Sequence, residues 1–395
     1  MRGSIIKRSK SSYAIVLNLG KDPATGKRKQ QWVTVKGNRR EAERRLAELL
    51  HQLNIGTFVK PGRLTVKEYL EQWLQDYCVA NLSPRTHELY SYICEKHLIP
   101  HIGLIPLTEL KPSHLQHLYS DKLSTGRSNG KGGLSNRTVQ IIHITLHKAL
   151  QNAVKTGLLV RNVAGAVDTP RIQRREMHVM SETDLHIFLE YAKDTPYYTL
   201  FYTSLFTGMR RAELLALRWS DIDLELCHLS ITRSMQYIRG ATPANRISFK
   251  EPKTAKSRRL IALSPSTVIT LREHKAKQAE LRQSLGYPPL SDNDLVFSHY
   301  DGSPLLPDSV THAWIKLVRR CGLKGIRFHD ARHTHASLML KQGIHPKIVQ
   351  ERLGHASIQI TLDTYSHVAP GLQQAAANRF DDIVLAKEAV REPVR

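Results

Sequence analysis

Four segments of the chain carry residues whose types and spacing could do chemistry. In "HDARHTH" (His329–His335), two histidines, His329 and His333, stand four apart with Asp330 beside the first. That is close to the H-E-x-x-H spacing of zinc hydrolases, which place two histidines on one helix face with a glutamate as base. A zinc site would also need a third ligand and a catalytic glutamate, and Asp330 is a methylene short. Arg332 suggests another chemistry. It shares a helix face with His329, three residues earlier, and its planar fork suits two phosphate oxygens at once. A histidine beside it can donate a hydrogen bond or move a proton near neutral pH. On this reading His333 packs beside the site or bonds a backbone group, and His335 has only a supporting role.

The second segment, "TGMRRAELLALRW" (207–219), is a helix whose Leu214, Leu215 and Leu217 serve packing. Packing does not account for Arg210 and Glu213, three apart on one face. The plain alternative is a surface ion pair worth under ~1 kcal/mol. The third, "EPKTAKSRRLIAL" (251–263), is a basic run entering a strand whose alternation begins at Leu260. Such runs are usually solvated, but Lys253 sits in a turn-like "PKT" and could reach a ligand from a hairpin. Lys250 and Lys256 compete with it. The fourth, "RLGHASIQITLDTYSHV" (352–368), has His355 after Gly354 at a helix end and Tyr365 ten residues later. A lone tyrosine is commonly a half-buried surface residue, yet this one stands in a polar setting, "LDTYSH", rather than in an apolar stripe.

The elements that must position these residues are legible in the periodicity. "SYAIVLNLG" (12–20) and "KQQWVTVKG" (29–37) alternate as strands around the turn-rich "KDPATGKR". A helix follows with Ala42, Leu46, Leu49, Leu50 and Leu53 at helical spacing. A three-stranded sheet with one helix packed on it can enter a DNA major groove; the alternative is a structural cap. "GTFVKPGRL" (56–64) reads as a linker. From Thr65 to about 165 the pattern is all-helical. Val66, Tyr69, Leu70, Trp73 and Tyr77 share one face, and Ser83-Pro84 opens a second helix. A third helix covers 113–123, and a Gly/Ser loop precedes a long helix from Ser135. "VDTPRIQRREMHVM" (167–180) reads as a second linker, and Ser181 with Asp184 caps the next helix. The last 210 or so residues mix helices with a β-rich stretch at 227–264, and the charged tail after Ala386 is expected to fray. The fold class is therefore multidomain and mainly α, with small β elements.

Composition narrows the function class. The 395 residues are 41% hydrophobic, and no run approaches the roughly 20 apolar residues of a membrane span. The N-terminus has basic residues but no apolar core of signal-peptide length. Cys78, Cys94, Cys227 and Cys321 stand far apart without CxxC spacing, which favours a reducing cytoplasm over disulfides or a cysteine zinc module. The net charge is +23, as expected of a protein that neutralises nucleic-acid phosphates. Residues 1–60 alone hold 14 basic and 4 acidic residues, so the excess is concentrated where a DNA-contacting module is expected.

Taken in order, Arg210, Lys253, His329-x-x-Arg332, Leu353-Gly354-His355 and Tyr365 resemble the tyrosine recombinases, the phage-type integrase family. The likeness spans the chain. It implies an arm-type DNA-binding domain (1–56), a helical core-binding domain (64–165) and a catalytic domain of mixed α/β, mostly helical character (174–388). It makes Tyr365 the nucleophile, with Arg210, Arg332 and His355 on the phosphate oxygens. His329 would assist the tyrosine's deprotonation, Lys253 would act as general acid, and Glu213 would orient Arg210. Neither metal, cofactor nor ATP is required. The implied partners are double-stranded DNA at core and arm sites and a homotetramer on synapsed DNA. Accessory DNA-bending or excision-directionality proteins are compatible with the scheme, and the implied location is the nucleoid of a bacterial host's cytoplasm. Two other readings stand beside it: a type IB topoisomerase, which lacks the arm module, and a DNA-binding regulator on an inactive scaffold.

Overall fold

The computed structural model describes residues 3–9, 11–21, 28–54, 64–127, 130, 132–172, 177–238, 242, 246–251, 258–365, 377–378 and 380–381. Lys253, most of the 56–64 linker and the tail after Ala386 lie outside them. The chain divides into two compact units, Met1–Arg174 and Arg175–Arg395.

In the first unit β1 (Gly3–Ser9), β2 (Ser12–Lys21) and β3 (Arg28–Lys36) form an antiparallel sheet in that order. Strand alternation sends Ile15 and Leu17 to one face, where they pack with Leu49 of α1 (Arg39–Asn54). Leu46, Leu50 and Leu53 extend the same stripe. β1 contributes a single apolar residue to this face, Ile5, too little alternation for the sequence to mark it as a strand. The opposite face leaves Ile6 and Trp32 exposed, with the Arg8 guanidinium 5.6 Å from the Trp32 ring centroid.

The rest of this unit is a helical bundle with its own core. α2 (Val66–Trp73) opens on a Thr65–Glu68 capping box and passes through a π turn, Leu74–Cys78, into α3 (Val79–Asn81). α4 (Pro84–Ile93), capped by Ser83, runs through a second π turn, Cys94–Leu98, into α5 (Ile99–Ile102). α6 (Pro112–Thr125) and α7 (Asn136–Lys155) complete it. Leu70, Trp73, Leu98, Leu115, Tyr119, Ile142 and Leu146 are among the buried side chains of this core. Tyr69 donates to the Ala149 carbonyl at 2.6 Å, which satisfies a hydroxyl that burial would otherwise penalise.

The second unit begins with α8 (Glu182–Ala192), entered through the Ser181–Asp184 capping box that the sequence predicts. α9 (Tyr198–Thr207) and the single-turn α10 (Arg211–Leu214) follow. β4 (Ile222–Asp223), β5 (His228–Ile231) and, beyond the β6 (Ser234–Tyr237)–β7 (Ile247–Lys250) pair, β8 (Arg259–Ala262) supply two small antiparallel sheets. The helices α11 (Pro265–Ser284), α12 (Pro307–Arg320), α13 (Asp330–Lys341), α14 (Pro346–Leu353) and α15 (Ile358–Tyr365) come last. Trp314 anchors the core, with ring centroids 4.5 Å from Phe188 and 5.2 Å from both Phe201 and Phe328. A smaller cluster of Ala336, Leu340, Val349 and Leu353 clamps α14 onto α13. That contact brings the end of α14 beside the residues singled out above.

Candidate active site

α9 ends at Gly208, whose φ of +65° reverses the chain toward Arg210. A side chain there would be strained, and a Cβ would lie 2.7 Å from Leu353 Cδ2. Arg210 caps α10, and its backbone N–H donates to Glu213 Oε2 at 2.9 Å while its Nη1 donates to Oε1 at 2.7 Å. A second guanidinium completes the carboxylate's shell: Arg259 Nη1 reaches Oε1 at 3.1 Å and Nη2 reaches Oε2 at 2.8 Å. The Glu213 and Arg259 side chains are each 6% exposed, so the surface-pair alternative for Arg210 and Glu213 is wrong. Burial raises the Glu213 pKa, but the hydrogen bond and charge of Arg259, with those of Arg210, outweigh it and hold the group at about 2.

The end of α14 gathers the arginines. Gly354 closes this helix in the left-handed region, φ +66°. Three successive carbonyls there each accept a different guanidinium. Arg259 Nε donates to the Arg352 carbonyl at 2.7 Å, Arg332 Nη2 to the Leu353 carbonyl at 2.6 Å, and Arg210 Nη2 to the Gly354 carbonyl at 3.2 Å. Arg332 Nη1 also donates to the Gly208 carbonyl at 2.8 Å. The physical reason is general: the last carbonyls of a helix have no intrahelical partner, and its C-terminus is the negative end of the dipole. A strand, a helix turn and a helix, far apart in sequence, thus converge on one helix end. Arg210 keeps 38% of its side chain exposed, whereas Arg332 is 4% exposed.

His355 follows directly. Its Nδ1 lies 2.9 Å from the Thr361 hydroxyl on α15, and its carbonyl accepts from Gln350 Nε2 at 2.6 Å. Burial, then the charges of Arg332 and Arg210, lower its pKa to about 3, so the ring is neutral. If Nδ1 accepts the threonine proton, the imidazole carries its own proton on Nε2 as a donor. His329 lies at the head of α13, and its ring meets that of His333 edge-to-face at 5.0 Å. Partial burial and Arg332 lower the His329 pKa, and burial with His329 as neighbour lowers that of His333 to about 4. Asp330, the acid that made the segment look metallic, is buried. It accepts from the Arg327 backbone N–H at 2.7 Å and from the Arg327 guanidinium. Among the described residues no three of His, Cys, Asp and Glu are grouped to hold a metal ion. Tyr365 is the last residue of α15; its side chain, like Lys253 as a whole, lies outside the described residues.

The structure adds Arg259 and Arg352, which sequence reasoning missed, and gives His335 its partners. His335 Nδ1 lies 2.9 Å from the Leu205 carbonyl, and its Nε2 accepts from Arg352 Nε at 3.1 Å. Arg352 also donates through Nη1 to the Ala262 carbonyl at 2.9 Å and through Nη2 to the Phe206 carbonyl at 3.0 Å. Burial, then the Arg352 charge, lowers the His335 pKa to about 3. Arg259 had a usable signal. It stands two residues before the fully buried Ile261, on the same face of β8, while Leu260 between them points outward. Arg352 had none, because its carbonyl partners lie about 90 and 146 residues away and carry no side-chain signature.

Comparison with known proteins follows the same division. The family model described as "Phage integrase family" matches residues 178–371, and that described as "Phage integrase, N-terminal SAM-like domain" matches residues 65–123. The chain is 27% identical over 383 residues to the ICEBs1 integrase of Bacillus subtilis (strain 168), covering 96% of this chain and 100% of that protein. It is similar in fold to the Tn1549 transposon integrase solved with a circular intermediate DNA, at TM-score 0.64 and 20% identity, covering 80% of this chain and 99% of that one. It is also similar in fold to a lambda integrase tetramer bound to a Holliday junction, at TM-score 0.55 and 18% identity, covering 89% and 95%.

Proposed function

The chain belongs to the phage integrase family, whose two domain models together match more than half of its residues, and on that premise we propose that it is a site-specific DNA recombinase of a phage or mobile element. It integrates and excises that element by cutting and rejoining DNA through a 3′-phosphotyrosyl intermediate. The observation that carries this reading is the convergence of Arg210 and Arg332 on adjacent carbonyls beside His355, at the helix end that leads into the α15 bearing Tyr365.

Tyr365 Oη attacks the scissile phosphorus; the new P–O(Tyr) bond forms as the P–O5′ bond breaks. The phosphoryl group gains negative charge on its non-bridging oxygens in transit, and Arg210, Arg332 and His355 Nε2–H stabilise it. Tyrosine has a solution pKa near ~10, so its proton is drawn off by the cationic surroundings and by neutral His329. Lys253 returns a proton to the O5′ leaving group. Glu213 holds Arg210 in place. One phosphodiester is exchanged for another, which conserves bond energy and needs neither ATP nor metal. Thr361, held by His355, precedes Tyr365 by four residues, which puts the tyrosine Cα one helical turn further along the same side of α15.

Residues 1–56 form the arm-binding module and 64–165 the core-binding domain, with 174–388 catalytic. The exposed Arg8–Trp32 face of the N-terminal sheet is the surface that reads arm-site DNA. Four protomers act together on two duplexes, with accessory DNA-bending or directionality proteins as compatible partners. The working location is the nucleoid of a bacterial host. Among the described residues no helix is long and apolar enough to cross a membrane. The separate basic module favours an integrase over a type IB topoisomerase.

Suicide duplexes spanning the ends of the element that carries the gene test the reading. Wild type traps as a covalent protein–DNA adduct and Tyr365→Phe does not. An adduct with the Phe variant would refute the nucleophile assignment, and no adduct with wild type would favour a binding protein.

A further inference from the structure

We infer that Arg352 is a positioning residue for this chemistry: its guanidinium sets the spacing of the phosphate-binding arginines without touching DNA. The inference rests on the recombinase reading above. Arg352 donates to Phe206, Ala262 and His335, and each contact lies beside the mounting of one arginine. Phe206 is two residues before Gly208, whose carbonyl holds Arg332 and whose turn leads to Arg210. Ala262 ends β8, three residues after Arg259. His335 is three residues after Arg332, on the same side of α13. The backbone carbonyl of Arg352 itself accepts from Arg259 Nε. One side chain therefore braces all three segments against the helix end on which Arg210, Arg259 and Arg332 rest.

The chemistry of the site argues that this arrangement is purposeful. Four guanidiniums gather here, and Glu213 bonds two of them, Arg210 and Arg259. Arg352 is held instead by two carbonyls and an imidazole, and burial, then the Arg259 charge, lowers its pKa. Placing another cation in that company is unfavourable, and an apolar side chain would be cheaper if filling space were the whole task. What arginine alone supplies is a planar fork that donates in several fixed directions. The acceptor on α13 requires His335 to be neutral, because a protonated ring has no lone pair to offer. Lysine carries its three N–H donors on one nitrogen and cannot span acceptors that meet three separate nitrogens of Arg352.

The test uses the full-length chain and suicide duplexes whose scissile group is either the natural phosphodiester or an uncharged methylphosphonate. Adduct formation is timed under single turnover, and DNA affinity is measured separately. Arg352→Ala and Arg352→Lys are each expected to slow adduct formation on the phosphodiester by about 100-fold, the scale of a ~1 Å misplacement of catalytic groups. DNA affinity should stay within about 3-fold. On the methylphosphonate the loss should shrink to about 5-fold or less, since there is less charge for the arginines to meet. Both substrates are read on one preparation, so any misfolded fraction cancels in the ratio of the two losses. The inference is overturned by an equal loss on both substrates, by restoration of the rate in Arg352→Lys, or by an Ala variant within about 3-fold of wild type. Absence of adduct with wild type would instead remove the recombinase reading, and this inference with it.

Discussion

Replacing Glu213 by glutamine keeps the shape of the side chain and removes its charge, and the structure sets the cost. The carboxylate accepts from the Arg210 backbone N–H, Arg210 Nη1 and both terminal nitrogens of Arg259. A glutamine turns an NH₂ toward one of these donors, so at least one guanidinium loses its acceptor inside the protein. The wild-type carboxyl sits at about 2 against an ordinary 4.5. At roughly 1.4 kcal/mol per unit, that displacement corresponds to about 3 kcal/mol of stability, the lower end of the ~3–5 kcal/mol seen when a buried ion pair is broken. For a unit of this size, ~3 kcal/mol lowers Tm by about 6–12 °C. Because the folded pKa is depressed, the contribution is complete above about pH 4.5 and is lost as pH falls toward about 2. Calorimetry of wild type and Glu213→Gln from pH 7 to pH 3 should therefore show a wide gap that narrows only in the acid range. A Tm change under about 2 °C at pH 7, or a gap that does not narrow with acid, would refute the reasoning, since either would mean that the pair behaves as an exposed one.

Two further outcomes follow from the same site. Gly354→Ala places a Cβ 3.0 Å from both Cδ and Nη1 of Arg259 at a φ of +66°; it should cost about 1–2 kcal/mol in denaturant unfolding and slow DNA cleavage further through the displaced guanidinium. His333, His335 and His355 fold as neutral rings, with pKa values lowered to about 4, 3 and 3 from an ordinary 6.5. Their folded pKa values lie below the unfolded ones, so stability should already decline as pH falls below about 6.5, before any carboxylate titrates. Urea melts at closely spaced pH values check this, and a flat response between pH 6.5 and 5 would contradict it.

Much of this protein was legible in its residues. The apolar spacing of Val139, Ile142, Leu146 and Leu150 marked α7, and the Ser181–Asp184 pair marked the start of α8, because helix faces and caps are local properties of consecutive residues. The basic N-terminus and the ordered set from Arg210 to Tyr365 likewise carried family and chemistry. The third strand of the expected N-terminal sheet, β1, could not be placed along the sequence, since one inward isoleucine makes no pattern and its register comes from pairing with β2. In the site, types, spacing and the family resemblance singled out Arg210, His329, Arg332 and His355 as candidates, because their chemistry belongs to their own side chains. Only the tertiary structure decided what holds them. Arg259 shares the carboxylate of Glu213, Arg352 spans three segments, and the Arg352, Leu353 and Gly354 carbonyls each seat one arginine. Those acceptors are backbone atoms that every residue possesses, so no letter in the sequence announces them. They become a site when α14 ends in a left-handed turn against α13 and β8, and that meeting is a property of packing between elements far apart along the chain.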